Sequence, residues 1–176
     1  MKFTETSLKG AFIIDLEPNF DERGFFARGF CKKEFSDMGI NFEATQLNIS
    51  KNTYSGTIRG MHYQQGNASE CKLIRCIKGS IWDVIIDVRP SSPTYLKHIG
   101  IEISESNQKA VYIPAMFAHG NQTLTKNSSL MYLVNTNYQP EYECGFRPND
   151  PKLGIDWPMS ISKMSLKDRS WPLINS

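Results

Sequence analysis

An antiparallel all-β jelly-roll barrel with short peripheral helices is the fold class predicted by this chain of 176 residues. Two observations carry the prediction. Short runs rich in β-branched and aromatic residues recur along the whole length, separated by turns containing Gly, Pro and Asn. Helical character is confined to two brief stretches, and no repeat, linker or low-complexity segment divides the chain, so one domain over residues 1–176 is expected. A barrel of this type encloses an interior that can hold a ligand.

Taken in order, Phe12–Leu16 is a short β-rich run that stops before Pro18. Phe20–Gly24 reads as a turn and Phe25–Phe30 as the next strand, with Arg23 at the junction, open to a ligand or to solvent. Lys32–Met38 predicts one or two helical turns closed by Gly39. Phe42–Ser50 resumes strand character, with Leu47 and Ile49 as the expected core face and Gln46 and Asn48 facing solvent or a pocket. The central stretch is Thr57–Gln64. Strict alternation puts Thr57, Arg59, Met61 and Tyr63 on one face and Ile58, Gly60, His62 and Gln64 on the other, where small Gly60 leaves room for a ligand.

Leu73–Lys78 and Ile81–Val88, joined by Gly79-Ser80, predict a β-hairpin. His98–Ile103 and Ala110–Ile113 are further strands, and Pro114–Gly120 reads as a loop carrying His119. Leu130–Tyr138 is a strand with Tyr132 and Val134 opposite Met131 and Leu133. From Gln139 the chain is irregular until Ser165–Pro172, which reads as a short capped helix or turn.

Composition excludes several classes. The formal charge is +2 with acids and bases mixed, so no nucleic-acid footprint is expected. No apolar run reaches signal-peptide or membrane-spanning length, so no membrane association is expected. Cys31, Cys71, Cys76 and Cys144 show no CxxC spacing and read as free thiols in a reducing compartment, placing the protein in the cytoplasm. His62, His98 and His119 form no HxH pair, which argues against a catalytic metal centre. Hydrolase-elbow, P-loop and dinucleotide fingerprints do not occur.

What remains is Arg59, His62 and Lys72 in one short region. An Arg for an anion, a His for a proton and a Lys for a developing oxyanion suit carbonyl chemistry. The same residues also suit a polar strand end with a surface Arg and a satisfied His. Tyr132 reads either as a half-buried aromatic or as a proton donor, and Asp168 as a surface acid or an imidazole's partner. Tyr138 caps the barrel or stacks on a base.

Asp21–Phe26, Gln46–Asn48, Gly56–Gln64, Lys72–Arg75, Gly79–Arg89, Ile113–Gly120, Tyr132–Glu143, Asp150–Pro158 and Ser165–Asp168 together resemble the cupin-type nucleotide-sugar epimerases, the dTDP-4-dehydrorhamnose 3,5-epimerase family. RGxHxQ followed by KLxR and then PxxFAHG is the most specific part. The resemblance implies a homodimeric jelly roll with exchanged N-terminal strands and no metal or organic cofactor. It implies a nucleotide-diphosphate sugar as substrate, with epimerisation at C3, C5 or both of a 4-keto-6-deoxyhexose. A single-centre epimerase, a ketoisomerase or a non-catalytic sugar-binding barrel are the alternatives.

By position, His62 is the general base with Asp168, Lys72 lies at the C4 carbonyl, and Tyr132 is the opposite-face proton donor. Arg23, Arg59 and His119 surround the diphosphate and sugar. Gln46, Asn48, Glu143 and Lys167 are further ligand contacts, and Tyr138 stacks on the base. The chain departs from the family's usual residues at Arg28 (usually Glu), Asn121 (usually Phe), Leu133 (usually Lys) and Pro148 (usually aromatic).

Overall fold

The computed structural model describes residues 1–174. Its strands are β1 (Lys2–Glu5), β2 (Phe12–Asp15), β3 (Asn19–Asp21), β4 (Gly24–Phe26), β5 (Gln46–Asn52), β6 (Ile58–Gln64), β7 (Lys72–Lys78), β8 (Ser80–Asp87), β9 (His98–Ser104), β10 (Ala110–Ile113), β11 (Phe117–Thr123), β12 (Ser128–Val134) and β13 (Glu143–Gly145). Two helices flank them, α1 (Lys32–Asp37) and α2 (Leu166–Ser170). No helix among the described residues is long and apolar enough to cross a membrane.

The strands form a six-stranded sheet, β1-β2-β10-β7-β12-β5, a five-stranded sheet, β13-β6-β11-β8-β9, and the separate hairpin β3-β4. The ladders within them are antiparallel, as a jelly roll requires. The two large sheets face each other. Ile74, Cys76, Val111 and Leu130 of one sheet pack against Ile81, Ile85, Ile103 and Phe117 of the other. Outside the six-stranded sheet, α1 buries Phe35 in an aromatic cluster with Phe3, Phe30, Phe42 and Tyr112. Outside the five-stranded sheet, Met61, Val84, Ile86 and Ala118 are covered by the C-terminal segment through Leu153 and Trp157.

Five local expectations change. The expected hairpin of β7 and β8 does not form, because the two strands lie in different sheets. Each already has two ladder neighbours, β10 and β12 for β7, and β9 and β11 for β8. Gly79, at φ +74°, turns the chain from one sheet to the other, and a methyl group there would meet Thr125 Oγ1 at 2.4 Å.

Leu47 and Ile49 are not core residues. They are 54 % and 68 % exposed on edge strand β5, and the inward positions belong to Gln46, Asn48 and Ser50. The alternation holds, but its phase is reversed because the interior at that edge is a polar cavity. His119 lies on strand β11 rather than on a loop. Thr123 is the one β-branched residue of that strand, and small Gly120 lets the strand approach β6 closely at Gly60. Finally, the second strand of the N-terminal hairpin stops at Phe26 rather than Phe30, and β13 lies within the stretch that reads as irregular.

Candidate active site

Two adjoining cavity lobes of about 610 and 370 Å³ open between the large sheets. His62, Lys72 and Tyr132 line both, so the lobes meet at these three side chains. Arg59, His119, Lys167 and Asp168 line the larger lobe, and Gln46, Asn48, Tyr138 and Glu143 the smaller. Arg23 lies outside both, in the protruding β3-β4 hairpin, where it pairs with Asp21. The other eleven residues singled out in the sequence thus converge on one cavity.

Arg59 and His62 cannot share a face of a regular strand. A β-bulge brings them together: His119 pairs with His62 and Asn121 with Arg59, so two steps along β11 span three along β6. Gly60 sits inside this bulge at φ +133°, and a methyl group there would come within 2.4 Å of Gly120 Cα. Its smallness therefore serves contact with β11, not space for a ligand.

The Nε2 of His62 lies 2.6 Å from Asp168 Oδ1. An ionised carboxylate accepts a hydrogen bond from Nε2–H and leaves Nδ1 as the basic nitrogen. Asp168 stands at the start of α2, where Ser165 caps the helix and accepts the Asp168 backbone N–H at 3.0 Å. Burial disfavours the Asp168 charge, but hydrogen bonds from His62, Ser165 and the Gly60 backbone outweigh it and hold the carboxyl below its ordinary range.

Facing these groups from the six-stranded sheet is Tyr132, pushed up in pKa by burial and by the negative charge of Glu70, against the opposing influence of Arg59. Its phenol stays protonated and able to donate. Lys72 Nζ lies 2.7 Å from Glu70, with both side chains nearly buried. In the smaller lobe, Glu143 accepts from the Tyr138 hydroxyl and pairs with Lys167. Gln64 accepts the Gln139 backbone N–H at 2.6 Å, which fixes the loop that carries Tyr138.

Three participants are absent from the sequence reading. Asp83 is buried in β8 with its Oδ1 2.7 Å from His119 Nε2. Asn52 accepts from Arg59 Nε at 2.7 Å. Glu70 holds Lys72. Asp83 left a signal, an acid inside the apolar run Ile81–Val88, because a buried charge needs a partner. Asn52 and Glu70 left none.

The cavity therefore holds a half-buried imidazole backed by a buried carboxylate, a cation and a neutral phenol on the facing wall. That set can remove a proton, stabilise oxygen charge and return a proton from another direction. Comparisons with known proteins agree. Residues 5–176 match the family model described as dTDP-4-dehydrorhamnose 3,5-epimerase. A dTDP-4-dehydrorhamnose 3,5-epimerase of Methanothermobacter thermautotrophicus is 38 % identical over 173 residues, covering 97 % of this chain and 92 % of that protein. A Bacillus anthracis dTDP-4-dehydrorhamnose 3,5-epimerase crystallised with TDP and PPi superposes with a TM-score of 0.95 at 36 % identity, covering 98 % of this chain and 99 % of that one. A Streptomyces bikiniensis 3′-monoepimerase in complex with dTDP-quinovose gives 0.90 at 30 % identity, covering 96 % and 85 %. The chain belongs to the dTDP-4-dehydrorhamnose 3,5-epimerase family of isomerases.

Proposed function

We propose that this enzyme epimerises a dTDP-linked 4-keto-6-deoxyhexose at carbons flanking the ketone, using its own side chains for both proton transfers. The observation that carries the reading is the placement of His62 and Tyr132. They stand on β6 and β12, in opposite sheets, and line the same cavity. A sugar ring between them presents one face to a base and the other to an acid.

A C–H bond next to a ketone ionises because the electron pair it leaves moves onto oxygen as an enolate. His62 Nδ1 takes that proton, and Asp168 steadies the resulting imidazolium. The Lys72 ammonium stands beside the C4 oxygen and stabilises its charge, with Glu70 fixing the ammonium's position. Tyr132 then gives its proton to the opposite face of the same carbon, which inverts the centre. Arg59, His119 and Lys167 provide positive or donor groups for the sugar and diphosphate. Gln46, Asn48, Tyr138 and Glu143 in the smaller lobe contact the rest of the nucleotide, Tyr138 by stacking on the base.

Arg23 enters through a second copy of the chain. The β3-β4 hairpin exposes Phe20 and Phe26 at 75 % and 76 %, a poor surface for a monomer. In a homodimer that hairpin would reach the partner's cavity and bring Arg23 to the diphosphate. Sedimentation should show a dimer, and Arg23→Ala should weaken dTDP binding.

The test of function is proton NMR in heavy water with dTDP-4-keto-6-deoxyglucose. Loss of the H3 and H5 signals is expected for a double epimerase and loss of one for a single-centre enzyme. Retention of both signals overturns the assignment.

A further inference from the structure

The strand registers place a second polar rung beyond the one that carries Tyr132 and His62. On the six-stranded sheet, Tyr132 pairs with Asn48, and two residues on Leu130 pairs with Ser50. On the five-stranded sheet His119 pairs with His62, and two residues on Asn121 pairs with Arg59. Ser50 and Asn121 both line the larger lobe, together with apolar Ile58, Ile74 and Leu130 and with Arg59. Asn121 is 6 % exposed and Asn52, whose Oδ1 accepts from Arg59, is 3 % exposed.

Asn121 Oδ1, Ser50 Oγ and Asn52 Nδ2 are buried without a hydrogen-bond partner. Leaving such groups unpaired costs about 1–3 kcal/mol each, so native structures satisfy them with protein, water or ligand. The chemistry of the unmet groups selects the ligand. A methyl group would leave all three unpaired. A phosphate oxygen, which only accepts, would leave the Asn121 carbonyl unmet. A hydroxyl both donates and accepts, and so meets Asn121 Oδ1 and Ser50 Oγ together.

We propose that Asn121, supported by Ser50 and Asn52, forms a subsite that hydrogen-bonds a hydroxyl of the sugar and thereby sets which sugar the enzyme takes. The proposal rests on the nucleotide-sugar reading of the cavity. It also gives a role to the Asn121 amide, which stands where the family resemblance leads one to expect Phe.

Calorimetric titration with two stable ligands tests it. dTDP-glucose carries the hydroxyls of a hexose, and dTDP lacks the hexose. Asn121→Leu should weaken dTDP-glucose about ten-fold, as for one lost hydrogen bond with an unpaired partner. Its affinity for dTDP should stay within about two-fold of wild type. Ser50→Ala, a smaller change that tests the subsite even if Asn121→Leu fails to fold, should weaken dTDP-glucose about three-fold and spare dTDP. Unchanged dTDP-glucose affinity in both variants overturns the subsite, as does equal weakening of both ligands, which would assign the amide to the phosphates. If wild type exchanges sugar protons with heavy water while the variants bind normally, the subsite fails and the epimerase reading stands. If wild type binds neither ligand, both fail.

Discussion

Two imidazole–carboxylate pairs face the cavity from neighbouring strands, and their differences separate a base from a fixture. His62 and His119 are register partners, and each presents Nε2 to an aspartate, at 2.6 and 2.7 Å. The His62 side chain is 32 % exposed and borders both lobes, whereas that of His119 is 12 % exposed and borders only the larger. Asp168 begins a short helix, where a cap and a backbone N–H stabilise its charge. Asp83 lies in mid-strand, wholly buried, with Oδ2 unpartnered. A general base must be reached by substrate and must exchange its proton between turnovers. His62 meets both conditions. His119 is better placed to hold a fixed donor against the ligand.

Removal of the two imidazoles should therefore have different consequences. His62→Asn should lower deuterium incorporation into the sugar by at least about 10³-fold with dTDP affinity nearly intact, whereas Tyr132→Phe should also keep dTDP affinity but lose inversion by a similar factor while exchange through His62 persists. His119→Asn should act mainly through KM. If His119→Asn abolishes exchange without weakening binding, the two roles are reversed.

The carboxylates give the next largest contrast. Asp168→Asn removes the negative charge that steadies the His62 imidazolium formed during turnover, and kcat should fall by about 10³-fold. Asp83→Asn keeps the shape and can still accept from His119, so a loss of about ten-fold, mostly in KM, is expected. Equal kcat losses in steady-state kinetics would remove the distinction drawn between the pairs.

This contrast also shows what the sequence could convey. The residues themselves left open whether Asp168 meets His62; the family resemblance paired them, and the structure places Asp168 Oδ1 2.6 Å from His62 Nε2. The His119–Asp83 pair was half hidden. Its acid lies in an apolar strand, and its imidazole lies on a strand whose Ala and Gly composition reads as a loop. Alternation along β5 was legible, but not which face was inward, because that depends on a cavity assembled from the opposite sheet. The β7–β8 connection had a sound local turn signal and still failed as a hairpin, since ladder partners distant in sequence decide pairing. The bulge at Gly60 shifts Arg59 onto the His62 face, and no periodic pattern records it.

A smaller effect concerns the acid that opposes the base. Burial, and after it the charge of Glu70, raises the pKa of Tyr132. Glu70→Gln removes the second influence and should move tyrosinate formation at Tyr132 to lower pH. Ultraviolet difference titration, with Tyr132→Phe as the reference, reads this directly. The alkaline limb of kcat should move the same way, with a loss of only a few-fold at neutral pH, because Lys72 stays in place but is less firmly held. An unmoved Tyr132 titration would exclude Glu70 from that role.

The smallest expected effect follows from the direction of the Asp168 shift. Burial opposes its ionisation, but the hydrogen bonds from His62, Ser165 and Gly60 prevail, so the folded value lies below the ordinary 3.8. The unfolded chain then binds this proton more readily than the folded one. Ionised Asp168 therefore stabilises the fold above the unfolded value, and the contribution disappears as pH falls through the lower folded value. Urea unfolding of wild type and Asp168→Asn should show a constant stability gap above about pH 5 that narrows below about pH 4. A gap that persists unchanged into strong acid would mean that the Asp168 charge serves the imidazole during turnover and contributes nothing to the stability of the fold.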